Sequence, residues 1–303
     1  MTRNDADLLR ANILFHLAVG CERVLVVDNG SSDATRRTLR WLGRCYPIDW
    51  TTRPEGLPRA QVVTELADDA RRAGADWVLP LDTDEFWHAT GQLPELLADA
   101  GPIGALEVPR IEFVQARDQI HSRTTAIVRA DHRVEPVVRG GAAIEQFLAL
   151  ERSAFELAPP SKLLLRVGPE LEIELGAHSA RGLVGPVDTT TDVAIFHLQL
   201  RSRDEAFTRA EDDRRLRLVD SREAVAYETA YWSEIERRGL REEAWRAHSH
   251  QNGTLDVFGR TVELEYDPRL ARVLAPYARG VLRQRLGDLR HRLISRPRTT
   301  PGR

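Results

Sequence analysis

Val24-Leu25-Val26-Val27-Asp28-Asn29-Gly30-Ser31-Ser32-Asp33 is an unbroken apolar run that stops in a loop of short polar residues. The same grammar returns in Trp77-Val78-Leu79-Pro80-Leu81, which runs into Asp82-Thr83-Asp84-Glu85-Phe86. Short continuous apolar runs bounded by turn residues read as buried strands. Between them the pattern predicts a helix to Gly43, a strand over Ile48–Thr52, and a helix after Pro58 carrying Val62, Val63, Leu66 and Ala70, closed by Gly74. Upstream, Leu8, Leu9, Ile13 and Leu17 mark the apolar face of a first helix, with Asn4 as its N-cap and Gly20 as its stop. Strands alternating with helices imply a parallel, doubly wound sheet, in which ligands bind at the carboxyl ends of the strands. Both acidic loops fall at such ends.

From about residue 104 the sequence turns strand-rich. Ala105–Val108, Ile111–Val114, Thr125–Arg129, Lys162–Val167, Leu171–Leu175 and Val193–His197 are predicted strands, and Gly168-Pro169-Glu170 predicts a hairpin between the fourth and fifth. Ser202-Arg203-Asp204-Glu205 is a capping-box pattern that opens a charged helical stretch to about residue 248. The expected division is a nucleotide-binding half over 1–115, a mixed α/β acceptor-side region over 116–200, and a helical region with a basic tail over 201–303.

The 303 residues are 42% hydrophobic and 29% charged, with a net charge of −3, a globular composition that excludes wholesale nucleic-acid binding. No apolar run approaches the length of a membrane span, no signal peptide is evident, and Cys21 and Cys45 are too few for a disulfide scaffold, so a cytoplasmic protein is expected. Charge is unevenly placed: residues 269–303 hold ten arginines and one acid, Asp288, leaving the remainder acidic. In that tail Leu270, Val273, Leu274, Val281, Leu282, Leu286, Leu289, Leu293 and Ile294 recur near helical spacing. Such a helix either lies on anionic membrane or packs against the acidic body.

Asp82 and Asp84 stand two apart at the end of a strand, where side chains i and i+2 share a face roughly 6–7 Å apart. Two converging carboxylates suit a hard cation that bridges to phosphate. Asp28 and Asn29 open the neighbouring loop, where backbone N–H groups and a helix N-terminus can meet a nucleotide. Lys162 is the chain's sole lysine, placed for a phosphate or for water on a hairpin edge, and His178 is a further candidate. His248-Ser249-His250 resembles a metal pair but shows no further ligand, and reads as a solvated segment.

Taken together, Asn4-Asp5-Ala6-Asp7-Leu8-Leu9, His16-Leu17-Ala18-Val19-Gly20, the Val27–Thr35 loop and the Trp77–Phe86 segment resemble the family 2 glycosyltransferases, in the branch whose acidic motif reads Asp-x-Asp-Glu-Phe. The match covers residues 1 to about 115 and continues more weakly through Pro160-Ser161-Lys162, Gly176-Ala177-His178 and Phe196-His197. The resemblance implies a GT-A fold (Rossmann-like, with a mostly parallel central sheet) and here a helical C-terminal appendage. It also implies a nucleotide-sugar donor, a carbohydrate or glycoconjugate acceptor, and a divalent metal, Mn²⁺ or Mg²⁺. By that likeness Asp28 and Asn29 contact the nucleoside, Asp82 and Asp84 match the metal–diphosphate motif, and His197 completes the metal site. It further implies inversion at the anomeric carbon, with Glu85, Glu107, Glu112, Asp188 and Asp192 all conceivable bases. The family has an apolar strand ahead of the Asn4-Asp5 segment, for which the residues before Asn4 leave no room, so a start upstream of Met1 is expected.

Rival readings fit less well. A haloacid-dehalogenase-like phosphatase also carries two aspartates after a strand, but expects Thr or Val where Phe86 stands. A nucleotidyltransferase needs a Gly-rich basic loop near the N-terminus, which is lacking. A non-catalytic sugar-nucleotide-binding relative would hold donor without turning it over.

Overall fold

The computed structural model describes residues 1–54, 57–122, 124–135, 137–208 and 226–278. Its first unit is the predicted strand–helix–strand: β1 (Val24–Asp28), α2 (Thr35–Cys45) and β2 (Ile48–Thr52), preceded by α1 (Leu9–Ala18). β1 and β2 pair in parallel from Val24↔Ile48 to Asp28↔Thr52. Leu9, Ile13, Leu14 and Leu17 of α1 and Leu39 and Leu42 of α2 bury against Val26 and Ile48. Gly20 follows α1 at φ +114°, where a Cβ would lie 2.4 Å from the Pro94 ring, so glycine is required there.

The chain continues through α3 (Arg59–Arg72), β3 (Trp77–Val78), β4 (Glu85–Ala89), α4 (Leu93–Ala98), β5 (Ala105–Val108), β6 (Arg110–Glu112), β7 (Gln115–Ala116) and β8 (His132–Arg133). Next come α5 (Gly141–Leu148), β9 (Lys162–Arg166), β10 (Glu172–Ile173), β11 (Ala180–Arg181), β12 (Val187–Thr189) and β13 (Val193–His197). One sheet has the order β12-β5-β9-β3 and another β4-β13-β6. Parallel ladders (β12·β5, β13·β6) mix with antiparallel ones (β5·β9, β3·β9, β13·β4). The class is α/β, with parallel β–α–β structure at the N-terminal end.

Three local expectations are corrected. Asn4 does not cap α1, which is preceded by Leu8. It sits at φ +54°, and its side-chain oxygen accepts the Ser32 N–H at 2.9 Å, so it caps the Asp28–Asp33 loop instead. Thr124–Arg129 is a 3-10 helix rather than a strand; Ile127 sits in the core with Leu270 and Leu274 of the 269–278 helix. The predicted hairpin partner of β9 pairs elsewhere: β10 joins β11, while β9 lies between β5 and β3.

The described C-terminal part carries the expected helices, Ala226–Arg238, Arg241–Ala247 and Arg269–Ala278, and also β14 (Ser249–His250), β15 (Thr254–Val257), β16 (Arg260–Glu263) and β17 (Glu265–Tyr266). Leu270 and Leu274 pack against Leu8, Ala11 and Phe15. The start of the predicted tail helix therefore faces the body, while Val281 to Ile294 lie outside the described residues. Among the described residues no helix is long and apolar enough to cross a membrane.

β1 and β3 are not hydrogen-bonded to each other. Between them lies a cavity of about 1600 Å³, lined by apolar residues such as Leu25, Leu66, Trp77, Leu79 and Leu81. Among the described residues, Thr2 bridges to β1 on that side, giving its N–H to Val27 O and receiving the Asn29 N–H, both at 2.9 Å.

Candidate functional site

Sheet register assembles the candidate site. His197, the last residue of β13, stands opposite Glu85 of β4 on one side and Glu112 of β6 on the other. Residues in register share a face, so the three side chains converge. His197 Nδ1 lies 2.6 Å from a Glu112 carboxylate oxygen, and its Nε2 lies 3.6 Å from Asp84 Oδ1. The Glu112 contact fixes the ring and leaves Nε2 facing Asp84, the arrangement by which an outer carboxylate orients a metal-ligating histidine. Glu112 is held in turn by Arg110 at 2.7 Å. Burial alone would depress the imidazole, but Glu112 and Asp84 push it up to about 9.

Asp82 belongs to the same cluster through cations. Lys162 Nζ bridges Asp82 at 2.7 Å and Glu85 at 2.6 Å, and Arg59 at the start of α3 makes a second ion pair with Asp82. Burial raises the Asp82 carboxyl; Arg59 and Lys162 outweigh it and hold the group well below the usual carboxylate range. Lys162 is 2% exposed, so the reading of it as a hairpin-edge lysine in water is corrected. Glu85 is 1% exposed, and burial pushes its carboxyl up against the opposing charge of Lys162. Its Oε1 is buried without a hydrogen bond, 3.8 Å from the Arg110 guanidinium.

The acidic loop is pinned from α1. Asn12, buried on the apolar face, donates from its side-chain nitrogen to the carbonyls of Thr83 at 2.9 Å and Glu85 at 2.8 Å. One turn on, His16 Nδ1 bonds the Asn12 carbonyl at 2.8 Å while Nε2 accepts the Trp87 N–H at 3.1 Å. Asn12→Ala would strand the buried Glu85 carbonyl, at about 1–3 kcal/mol, and take a donor from the part-buried Thr83 carbonyl at a smaller cost. Urea unfolding should show a loss of roughly 1–3 kcal/mol or somewhat more; a loss below about 0.5 kcal/mol, the size of an ordinary surface change, would show that the loop does not depend on this residue.

Asp28 ends β1 fully buried and accepts the Ser31 N–H at 3.1 Å, with Asn29 beside it. The two acidic loops meet through the N-terminal segment: Thr83 Oγ1 donates to Asp5 at 3.1 Å, and Thr2 Oγ1 donates to the same carboxylate at 2.7 Å. Arg201, 7% exposed, closes the cluster with Asp7 at 2.8 Å and Asp5 at 3.2 Å. Thus Asp82, Asp84, Lys162 and His197 come together, and the Asp28–Asn29 loop is joined to them through Thr2, Asp5 and Thr83. Of the conceivable bases only Glu85 and Glu112 join them; Glu107 and Asp188 are exposed on β5 and β12, and Asp192 precedes the far end of β13. His178 is exposed and bonds the Ser161 carbonyl at 2.7 Å.

Arg59, Arg110 and Asn12 escaped the sequence reading. Asn12 and His16 had a usable signal, a polar pair at i, i+4 on an otherwise apolar helix face. The solvated reading of residues 248–250 is also corrected, for both histidines are buried. His248 bonds the Ala244 carbonyl at 2.8 Å and accepts the Ala154 N–H at 3.2 Å, while His250 lies against His132 with ring centroids 4.3 Å apart.

Burial lowers His16 and His248 to about 4 each. Their stabilising neutral state is fully present above the unfolded pKa of about 6.5 and is lost as pH falls toward about 4, because only the unfolded chain takes up protons in that window. Each should cost about 2 kcal/mol at pH 5 relative to pH 7. The urea midpoint should fall accordingly, and less so in a His16→Gln/His248→Gln variant; an unchanged midpoint would contradict the assignment.

No family model matches the chain, and no curated protein matches it. Among solved structures, S. aureus TarS 1–349 in complex with UDP aligns at 11% identity and a TM-score of 0.40, covering 78% of this chain and 69% of that one. A second structure of S. aureus TarS 1–349 aligns at 12% and 0.35, covering 76% and 67%. A longer TarS chain aligns at 12% and 0.35, covering 83% and 43%. Likeness at this level carries no argument about function.

Proposed function

We propose that the chain is a metal-dependent glycosyltransferase that moves a sugar from a nucleoside-diphosphate donor to a carbohydrate or glycoconjugate acceptor, with inversion. The observation that carries the reading is the convergence of Asp84, His197 and Glu112 with the Asp82–Lys162–Arg59 cluster, beside the Asp28 loop. A carboxylate and an oriented imidazole nitrogen 3.6 Å apart fit a divalent ion. Asp84 and His197 would hold that ion, with Glu112 fixing the ring, while Asp82 adds charge to the same cluster. A bound Mn²⁺ or Mg²⁺ would supply Lewis-acid neutralisation of the departing diphosphate.

The remaining work falls to side chains of the chain itself. Lys162 and Arg59 present two cations, one buried and one partly exposed, where a diphosphate would need them. Asp28 and Asn29 at the end of β1 would face the nucleoside. Asn12 keeps the Asp82–Asp84 backbone in place as substrate binds. Glu85 and Glu112 are each committed to ion pairs, and neither is assigned as the base that deprotonates the acceptor.

The reading is tested by incubating the protein with a panel of nucleotide sugars and Mn²⁺ and following release of nucleoside diphosphate. Slow Mn²⁺-dependent hydrolysis of one donor class is expected, since water can replace the acceptor. Binding of a donor with no turnover, even with candidate acceptors present, would favour the non-catalytic alternative.

A further inference from the structure

Helix α2 shows the solvent an unusual face. Arg37, Arg40, Trp41 and Arg44 fall at i, i+3, i+4 and i+7 and are all exposed, while Thr35, Leu39 and Leu42 on the opposite side are buried. Side chains at that spacing form one stripe. Trp41 is 43% exposed, an unusual place for so large an apolar ring. The Arg10 guanidinium, from α1, lies over its indole at 5.2 Å, and Tyr46 meets its edge at 6.1 Å.

The charges are as telling as the ring. Most arginines in the described structure are tied to a carboxylate, from Arg53–Glu65 to Arg269–Asp267. Arg37, Arg40 and Arg44 make no ion pair among the described residues, and α2 has no acidic residue at all. In a chain whose net charge is −3, a three-arginine stripe without counter-ions is a local concentration of positive charge. The helix at residues 269–278, which leads into the basic tail, ends close by: Tyr277 packs in the same cluster as Val24, Tyr46 and Trp50.

We infer that the outer face of α2 docks on an anionic lipid surface, with Arg37, Arg40 and Arg44 against headgroups and Trp41 and Tyr46 at the headgroup–acyl boundary. A polyanion such as nucleic acid would satisfy the arginines equally. The exposed tryptophan, braced by Arg10 and Tyr46, favours lipid, because amphipathic aromatic rings partition to the bilayer interface. The inference stands on this face alone and does not depend on the catalytic reading.

The test is co-sedimentation of the full chain with phosphatidylcholine vesicles, with and without 30% phosphatidylglycerol, at low and at physiological salt. Binding should need the anionic lipid and weaken with salt. Each arginine near such a surface contributes about a fivefold change in partitioning, so Arg37→Gln/Arg40→Gln/Arg44→Gln should weaken it on the order of a hundredfold. The Arg→Lys triple variant keeps the charge and should bind like the parent, which separates docking from damage to the fold. Trp41→Ser should also weaken binding at unchanged charge. Equal binding to neutral vesicles, or an Arg→Gln triple variant that binds like the parent, would overturn the proposal. So would a preference for oligonucleotide over anionic vesicles at matched salt.

Discussion

Asp84→Ala should abolish Mn²⁺-dependent donor turnover, with a fall in kcat on the order of 10³-fold, about 4 kcal/mol of transition-state stabilisation. The side chain faces His197 Nε2 at 3.6 Å, while the backbone of residue 84 is held separately by the Leu198 N–H at 2.9 Å. The fold should therefore survive, with an unchanged circular dichroism spectrum and a melting temperature near that of the parent. Turnover within threefold of the parent would remove Asp84 from the metal site. A variant that fails to fold is separated by Asp84→Asn, which preserves shape and removes charge.

Lys162→Met should be the most destabilising single change among the site residues. Glu85 is buried with one oxygen already lacking a hydrogen bond, and Lys162 supplies its nearest cation. Removing one partner of a buried pair leaves a charge without compensation, at a cost of about 3–5 kcal/mol. The double variant Lys162→Met/Glu85→Gln removes both charges and should recover most of that loss. Chemical denaturation decides the matter: a loss under about 1 kcal/mol in the single variant, or no recovery in the double, would contradict the pairing.

These two residues illustrate what was legible in the sequence. His197 announces itself because it ends an apolar strand, where ligand-facing groups of an α/β sheet gather. Asp82 and Asp84 were legible as a carboxylate pair after an apolar run, but not as a strand end, since β3 stops at Val78 and both lie in the loop before β4. The β1–α2–β2 unit was legible for the same local reason, since its apolar spacing needs no distant partner. The role of Lys162 was not, because whether a lysine at a strand start faces water or carboxylates depends on β9 inserting between β5 and β3. Asn4 misled because one side-chain oxygen can cap a helix or a loop equally well, and its partner Ser32 lies across a fold contact. Arg59 and Arg110 carry no local signature in an arginine-rich chain; only their carboxylate partners distinguish them. The Ile127 segment packs into a core closed by Leu270 and Leu274, long after it in the chain, so its local pattern could not specify a 3-10 helix.

The proposed binding of a divalent ion and a nucleoside diphosphate at the Asp84–His197 pair is the step on which the proposed function turns. It is tested most directly by thermal unfolding with a panel of nucleoside diphosphates, with and without Mn²⁺, on the parent chain and on Asp84→Ala. Ligand that binds the native state raises the melting temperature by mass action. The account predicts a shift with one nucleoside diphosphate that requires Mn²⁺ and disappears in Asp84→Ala. A shift of the same size in Asp84→Ala, or no shift with any nucleotide, would contradict it.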